Sequence, residues 1–296
     1  MRTKNKNKLQ TKGALKVKLE KFNDIGFSIR TGVLFDVQRR RKSKKHAVYY
    51  DNIIGASKNF IIEVRRLENT IIHQRVFESI LELGKEKANG NLLIDNLYQL
   101  KKLSGINTDT SNQVIVDIIE DIKTIHIKIS SVNGSTQSEP INFGLIKKIV
   151  KITENEIKNV KSMEIILDPD FMSLINSLTK IKFDKELMEY IHTKVKSAYC
   201  EKLIKYFLTQ QKPSKWDIWD LLQLIIDFAM SNIDNVKLDL NKMNDRKKRR
   251  ILEEIQKESK LLEEFGIIFN RKSQKIEFNP SLNQHKNKVL INYSTL

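Results

Sequence analysis

Apolar residues recur at helical spacing in three segments of the first half of the chain. Across 70–84, Ile72, Val76, Ile80 and Leu83 fall on one face, and Gly84 is a stop. After the polar stretch KEKANGN, Ile94, Leu97, Leu100 and Leu103 predict a short helix ending at Ser104-Gly105. The run Asn107-Thr108-Asp109-Thr110-Ser111 is rich in residues that cap helices. It leads into a third helix whose Ile115, Ile118, Ile119 and Ile122 form a buried stripe. The period then changes to two. Residues 125–130, IHIKIS, alternate as a strand, Asn133-Gly134 is a hairpin turn signal, and 141–152 return as strands.

The second half repeats this order. The pattern predicts one helix over 188–208, a break at Pro213-Ser214, a helix over 215–230 and a long helix over 245–265. In the last, Ile251, Leu252, Ile255, Leu262 and Phe265 face inward and Gly266 is the stop. GIIF and KIEF then form two short strands joined by residues 270–274. Between the halves, Met163–Leu167 is strand-like and Asp168-Pro169 opens a helix. Three helices followed by a β-hairpin, given twice, predict an α+β fold, mainly helical. The expected architecture is two tandem winged-helix domains: a basic arm over 1–47, a first domain over 48–160 and a second over 161–296.

Composition sharpens the picture. The chain has 296 residues, 40% hydrophobic and 30% charged, with 53 Lys+Arg against 36 Asp+Glu. A net charge of +17 attracts polyanions. Residues 1–50 hold 15 of the cations and 3 of the carboxylates, peaking at Arg39-Arg40-Arg41-Lys42-Ser43-Lys44-Lys45. Such an arm binds phosphate by counterion release, without sequence preference; the competing reading is a solvated tail. The abundance of Lys over Arg also fits the codon bias of an AT-rich genome. No apolar run reaches 18 residues, so no transmembrane helix is expected. The first residues lack the apolar core of a secretory leader. With one cysteine, Cys200, the expected compartment is the cytoplasm.

The second basic cluster, Arg246-Lys247-Lys248-Arg249-Arg250, opens the predicted third helix of the second unit. Arg246, Arg249 and Arg250 share a face, with Lys257 about two turns on, positions suited to guanine edges or phosphate. A solvated basic face is the alternative. In the first unit, Thr110, Ser111, Asn112 and Gln113 open the third helix, and Asn112 or Gln113 could pair with adenine. Caps and turns are the alternative there. Lys128 in the first hairpin and Arg271, Lys272 and Lys275 in the second are candidates for phosphate contact.

Catalytic patterns are missing beside these. There is no phosphate-binding G-x-x-x-x-G-K-[ST] loop. His46, His73, His126, His192 and His285 make no metal-binding pair, so Tyr49-Tyr50 are read as packing residues rather than nickase nucleophiles. Asp168 and Asp170 could hold Mg²⁺ as in a primase, but a helix cap with a favourable first-turn acid accounts for both. Cys200 is expected to be a buried structural thiol. No cofactor or metal is expected, and the chain is read as a non-enzyme.

The central strings EIILDPDFMSLINSLTKIKF and VKSAYCEKLIKYF resemble the iteron-binding plasmid replication initiators with tandem winged helices. The matching residues are Asp168, Pro169, Phe171, Leu178, Phe183, Ser197, Tyr199, Leu203 and Phe207, with Tyr50–Ile54 as a lead-in. Ile251, Glu254 and Ile255 followed by strands ending in FNPS complete a likeness over roughly 48–282. The arm is longer than the family's, and no L-R-x-x-L signature lies between Pro213 and Arg246. The resemblance implies a monomer that binds direct repeats (iterons) in double-stranded origin DNA, with its two units in successive major grooves. It also implies contacts with a host replication initiator and a helicase, and a dimer in equilibrium with the monomer that represses its own gene. A winged-helix transcriptional regulator without origin-opening activity is the alternative.

Overall fold

The computed structural model describes residues 50–56, 60–66, 70–86, 91–133, 136–137, 139–153, 160–172, 180–226 and 243–292. Within them the fold is α+β with small antiparallel sheets. Helix and strand each take about half of the residues in regular elements, so strand is more abundant than the sequence pattern predicted. Among the described residues no helix is long and apolar enough to cross a membrane. The expected arm over 1–47 lies outside the described residues.

The first unit begins with strands β1 (Tyr50–Ala56) and β2 (Phe60–Arg66). Helix α1 (Ile71–Leu83) follows, then strands β3 (Lys85–Glu86) and β4 (Leu92–Ile94). Asn96 caps α2 (Leu97–Leu103), and Ser111 caps α3 (Asn112–Lys123), each side chain accepting a backbone N–H two or three residues on. Strands β5 (His126–Asn133), β6 (Thr136–Gln137), β7 (Ile141–Gly144), β8 (Ile146–Thr153) and β9 (Val160–Leu167) complete it.

The strands expected over 125–130 and 141–152 are present, but they divide between two sheets. β5 pairs with β2 on one side and β7 on the other, and Val132–Asn133 pair locally with β6. A second sheet, β3-β4-β9-β8 with β9 between β4 and β8, also packs on α3. The physical reason is that β2 supplies a non-local partner for β5, with Val64 opposite Ile127 and Ile62 opposite Ile129. The expected boundary at 160/161 therefore cuts into β9. Val160, Met163, Ile165, Leu167 and Phe171 are buried in the first core, and the Phe171 ring lies 5.7 Å from that of Phe77.

The second unit comprises β10 (Lys180–Phe183), α4 (Lys185–Lys194), α5 (Ala198–Phe207), β11 (Ser214–Asp217) and α6 (Ile218–Ile226). Then come α7 (Asp245–Lys257), α8 (Ser259–Glu264), β12 (Phe265–Asn270), β13 (Lys275–Asn283) and β14 (Val289–Asn292). Two of the predicted long helices are each broken in two, and one residue explains both breaks. Glu258, between α7 and α8, turns its carboxylate back to accept Lys196 N–H at 2.6 Å and Ser197 N–H at 2.8 Å, between α4 and α5. Sheet β11-β13-β12 closes the unit, with the two C-terminal strands where they were expected. Its core holds Leu203, Ile204, Phe207, Leu221, Leu222, Ile251, Ile255, Leu262, Phe265 and Ile276. Ile71 from α1 is buried in this second core, and Ile72 packs against both.

Candidate nucleic-acid interface

Helix α7 starts where the Asn244 side chain accepts the Lys247 N–H at 2.9 Å. Ile251, Leu252 and Ile255 anchor its inner face. At about 100° per residue, Arg246, Arg250, Glu253 and Lys257 point directly away from that core. Arg249 lies on one flank and Lys247 on the other. Arg246, Lys247, Arg249, Arg250 and Lys257 are all exposed, and the Arg250 side chain is 80% exposed. Lys248 is used locally, its ammonium 5.6 Å above the Trp219 ring. Arg246, Lys247 and Lys248 crowd the first turn, at the positive end of the helix dipole. There each cation opposes the dipole by roughly 0.3–1 kcal/mol, and an anion would relieve it.

The turn between β12 and β13 belongs to the same surface. Arg271 reaches Glu253 on the outward face of α7 at 3.4 Å. Gln274, with φ of 53°, accepts the Trp219 indole N–H at 2.6 Å, and its carbonyl accepts Ile218 N–H. The turn is thereby tied to the start of α6. Lys272 and Lys275 are exposed on it. The pairs Arg271–Glu253 and Arg250–Glu254 are exposed or half-exposed. Such pairs are worth about 0–1 kcal/mol, so both guanidiniums are easily diverted to a phosphate.

In the first unit the predicted residues divide. The buried Lys101 ammonium donates to the carbonyls of Thr108 and Thr110, each at 2.8 Å, and fixes the turn before α3. Ser111 is the cap. Asn112 donates to Val160 O at 2.9 Å, so its amide holds the start of β9 against α3. Gln113 is exposed, its amide on Asp117 at 2.7 Å. Lys128 sits in β5, opposite Glu63 of β2 and Asn142 of β7. Arg39, Arg40 and Arg41 lie outside the described residues.

Sequence reasoning missed the lysines of the β8–β9 hairpin. Lys147, Lys148, Lys151 and Lys161 are all exposed, and the Asn112 contact brings β9 beside the start of α3. The pattern IKKIVKIT carried this basic edge, but its apolar residues drew the reading toward a plain return strand. The outward side of α3 is acidic by contrast. Asp117 and Glu120 stand against Lys123, Lys151 is paired with Glu120 at 3.1 Å, and Asp121 turns toward the His73 ring of α1 at 3.3 Å.

Asp168 acts as a cap. Its carboxylate accepts Asp170 N–H at 2.9 Å and Gly144 N–H at 3.1 Å. Cys200 is buried, and burial, followed by the nearby Glu258 charge, pushes its thiol far above the ordinary range.

No protein-family model and no curated protein sequence matches the chain. Two crystal structures of domains 2 and 3 of RctB share its fold. One, spanning RctB residues 155–483, aligns at 14% identity and a TM-score of 0.51, covering 84% of this chain and 94% of that one. The other, a selenomethionine derivative, aligns at 12% identity and a TM-score of 0.55, covering 91% and 99%. At these identities the likeness is one of fold.

Proposed function

We propose that the chain is a double-stranded-DNA-binding protein that initiates DNA replication, acting by binding and not by catalysis. The observation that carries this reading is the outward face of α7, where Arg246 and Arg250 stand clear of the core beside Arg249 and the β12–β13 turn. Guanidinium donors grouped in this way on an exposed helix suit guanine edges and flanking phosphates. The fold shared with RctB domains 2–3 supports the initiator reading. So does the resemblance of the central segment to plasmid initiators.

In its finer form the proposal has two winged-helix units on successive grooves of origin direct repeats. The second unit reads sequence through α7. The first contributes phosphate contacts through the β8–β9 lysines, with Lys128 and Thr110–Gln113 nearer the margin. The monomer binds repeats, a dimer represses the gene, and a host initiator and helicase are recruited in the cytoplasm.

Footprinting of the full chain on the DNA flanking its own gene, at low and moderate salt, tests this. Evenly spaced protected repeats that survive moderate salt are the expected result. Protection of a single inverted repeat would favour a transcriptional regulator. Diffuse protection that vanishes with salt would overturn sequence-specific binding altogether.

A further inference from the structure

The two units meet through a buried ionic network and not through an apolar seam alone. On α1, Gln74, Arg75 and Glu78 share one face. On α5, Glu201, Lys202 and Lys205 share another, and all three are at most 2% exposed. Arg75 Nε donates to Glu201 at 2.8 Å, while its terminal nitrogens donate to the carbonyls of His192 at 2.6 Å and Val195 at 3.2 Å. Lys205 bridges Glu78 at 2.7 Å and Glu201 at 2.8 Å. Lys202 donates to Gln74 at 3.0 Å. A planar guanidinium engaged on both edges has one geometry in which all its bonds are made. Apolar surfaces would tolerate sliding; this set does not.

The network continues in both directions to the candidate DNA-contacting elements. Toward the first unit, the His192 ring meets Leu103 O at 2.7 Å. Gly105 holds φ of +67°, and a Cβ there would collide with the His192 carbonyl. Lys101, on α2, then fixes the turn before α3 through Thr108 and Thr110. Toward the second unit, Glu258 at the end of α7 caps the start of α5. Directional contacts therefore run unbroken from the start of α3 to α7.

We propose that this network is a spacing gauge. It fixes the separation along the duplex at which the two units make contact, with Arg75, Glu201 and His192 as positioning residues. The inference rests on the DNA-binding reading above. One added base pair moves the second contact by about 3.4 Å and turns it by about a tenth of a helical turn. A rigid pair of contacts, bases through α7 and phosphates through the first unit, cannot follow that shift; a hinged pair can.

Phosphate-ethylation interference with the full chain, on a duplex carrying the footprinted site, tests this, read as the spacing between the backbone phosphates needed by the first unit and the bases contacted through α7. Wild type should need phosphates at one spacing, ethylation there weakening binding about tenfold or more, as a mismatched base pair does. The R75M/E201Q variant should keep the α7 contacts and spread the sensitive phosphates over several spacings. If thermal melting shows that this variant fails to fold, Arg75→Lys, which keeps the charge beside Glu201 and loses the bonds to the His192 and Val195 carbonyls, takes its place with the same expectation. A wild type whose sensitive phosphates already spread over several spacings, or variants that keep one sharp spacing, overturns the gauge while leaving DNA binding intact. Absence of any specific complex in wild type removes the DNA-binding reading itself, and the gauge with it.

Discussion

Helices α3 and α7 occupy the same place in two similar successions of elements, yet their exposed sides have opposite character. α7 carries six Lys or Arg and three acids, with two arginines at the centre of its outward face. α3 carries one Lys and three acids, and its one polar pair of interest is engaged: Asn112 on β9 and Gln113 on Asp117. In the first unit the positive charge has moved to the neighbouring hairpin, at Lys147, Lys148, Lys151 and Lys161. On the proposed function similar folds divide the work, one placing its charge on a helix suited to a groove and the other on a strand edge suited to the phosphate backbone. Element order alone would then not identify the reading helix.

The joint between the units is where the largest effect is expected. Arg75→Ala removes one of the two cations on the buried Glu201, leaving Lys205 alone, and strips the His192 and Val195 carbonyls of their donor, so it should cost about 3–5 kcal/mol in denaturant unfolding. A change below about 1 kcal/mol would show that the units are held by their apolar contacts instead. The same joint should be acid-sensitive. Burial alone would raise the Glu78 carboxyl, but the Lys205 charge and the His192 contacts outweigh it and bring it from 4.5 to about 2. Burial opposes the Lys205 and Arg75 charges in the same way at Glu201, whose carboxyl is also held well below the usual range. Depressed carboxylates stabilise the folded chain above their unfolded value and lose that contribution as pH falls through the folded one. Stability followed by circular dichroism should therefore fall between about pH 4.5 and 2, and more steeply than in Glu78→Gln.

On DNA, Arg250→Ala should cost about 1–3 kcal/mol for the specific site and much less for random duplex. Arg249→Ala, on the flank of α7, should cost less. Equal effects on both duplexes would reduce these residues to phosphate contacts. Replacing the four hairpin lysines by Ala should weaken specific and random binding alike. It should also lower the salt slope by up to about 0.9 for each phosphate no longer neutralised. An unchanged slope would leave the hairpin in solvent. The smallest change is expected for Gln113→Ala, within about 0.5 kcal/mol. A base-specific effect above that would bring α3 back as a second reading helix.

The sequence made local features legible and hid the distant ones. Helices α3 and α7, the caps at Ser111 and Asp168, the inward stripe Ile251–Ile255 and the β12–β13 hairpin follow from spacing within a few turns. β1 and β2 pair with each other as a local hairpin whose apolar pattern went unread, whereas the pairing of β2 with β5 some 60 residues later has no local signal. The breaks at Val195–Ser197 and Glu258 were hidden for the same reason, since each helix pattern continues through the residue that a distant carboxylate interrupts. Glu201, Lys202 and Lys205 look in sequence like a solvated face of α5. Only the facing charges of α1, more than 120 residues earlier, turn that face inward. Arg246–Arg250 was legible as a cluster and the helix starts at Asp245 as predicted, but its phase against Ile251, Leu252 and Ile255 sets Arg249 on the flank rather than on one face with Arg246 and Arg250.

The central claim is that α7 confers sequence specificity. The most direct test compares wild type with an Arg246/Arg249/Arg250→Ala triple variant on the footprinted site and on a random duplex of equal length, at one moderate salt concentration. The account predicts that the ratio of specific to random affinity collapses toward one while random binding, carried by the hairpin lysines, persists. A ratio that stays at the wild-type value would contradict it.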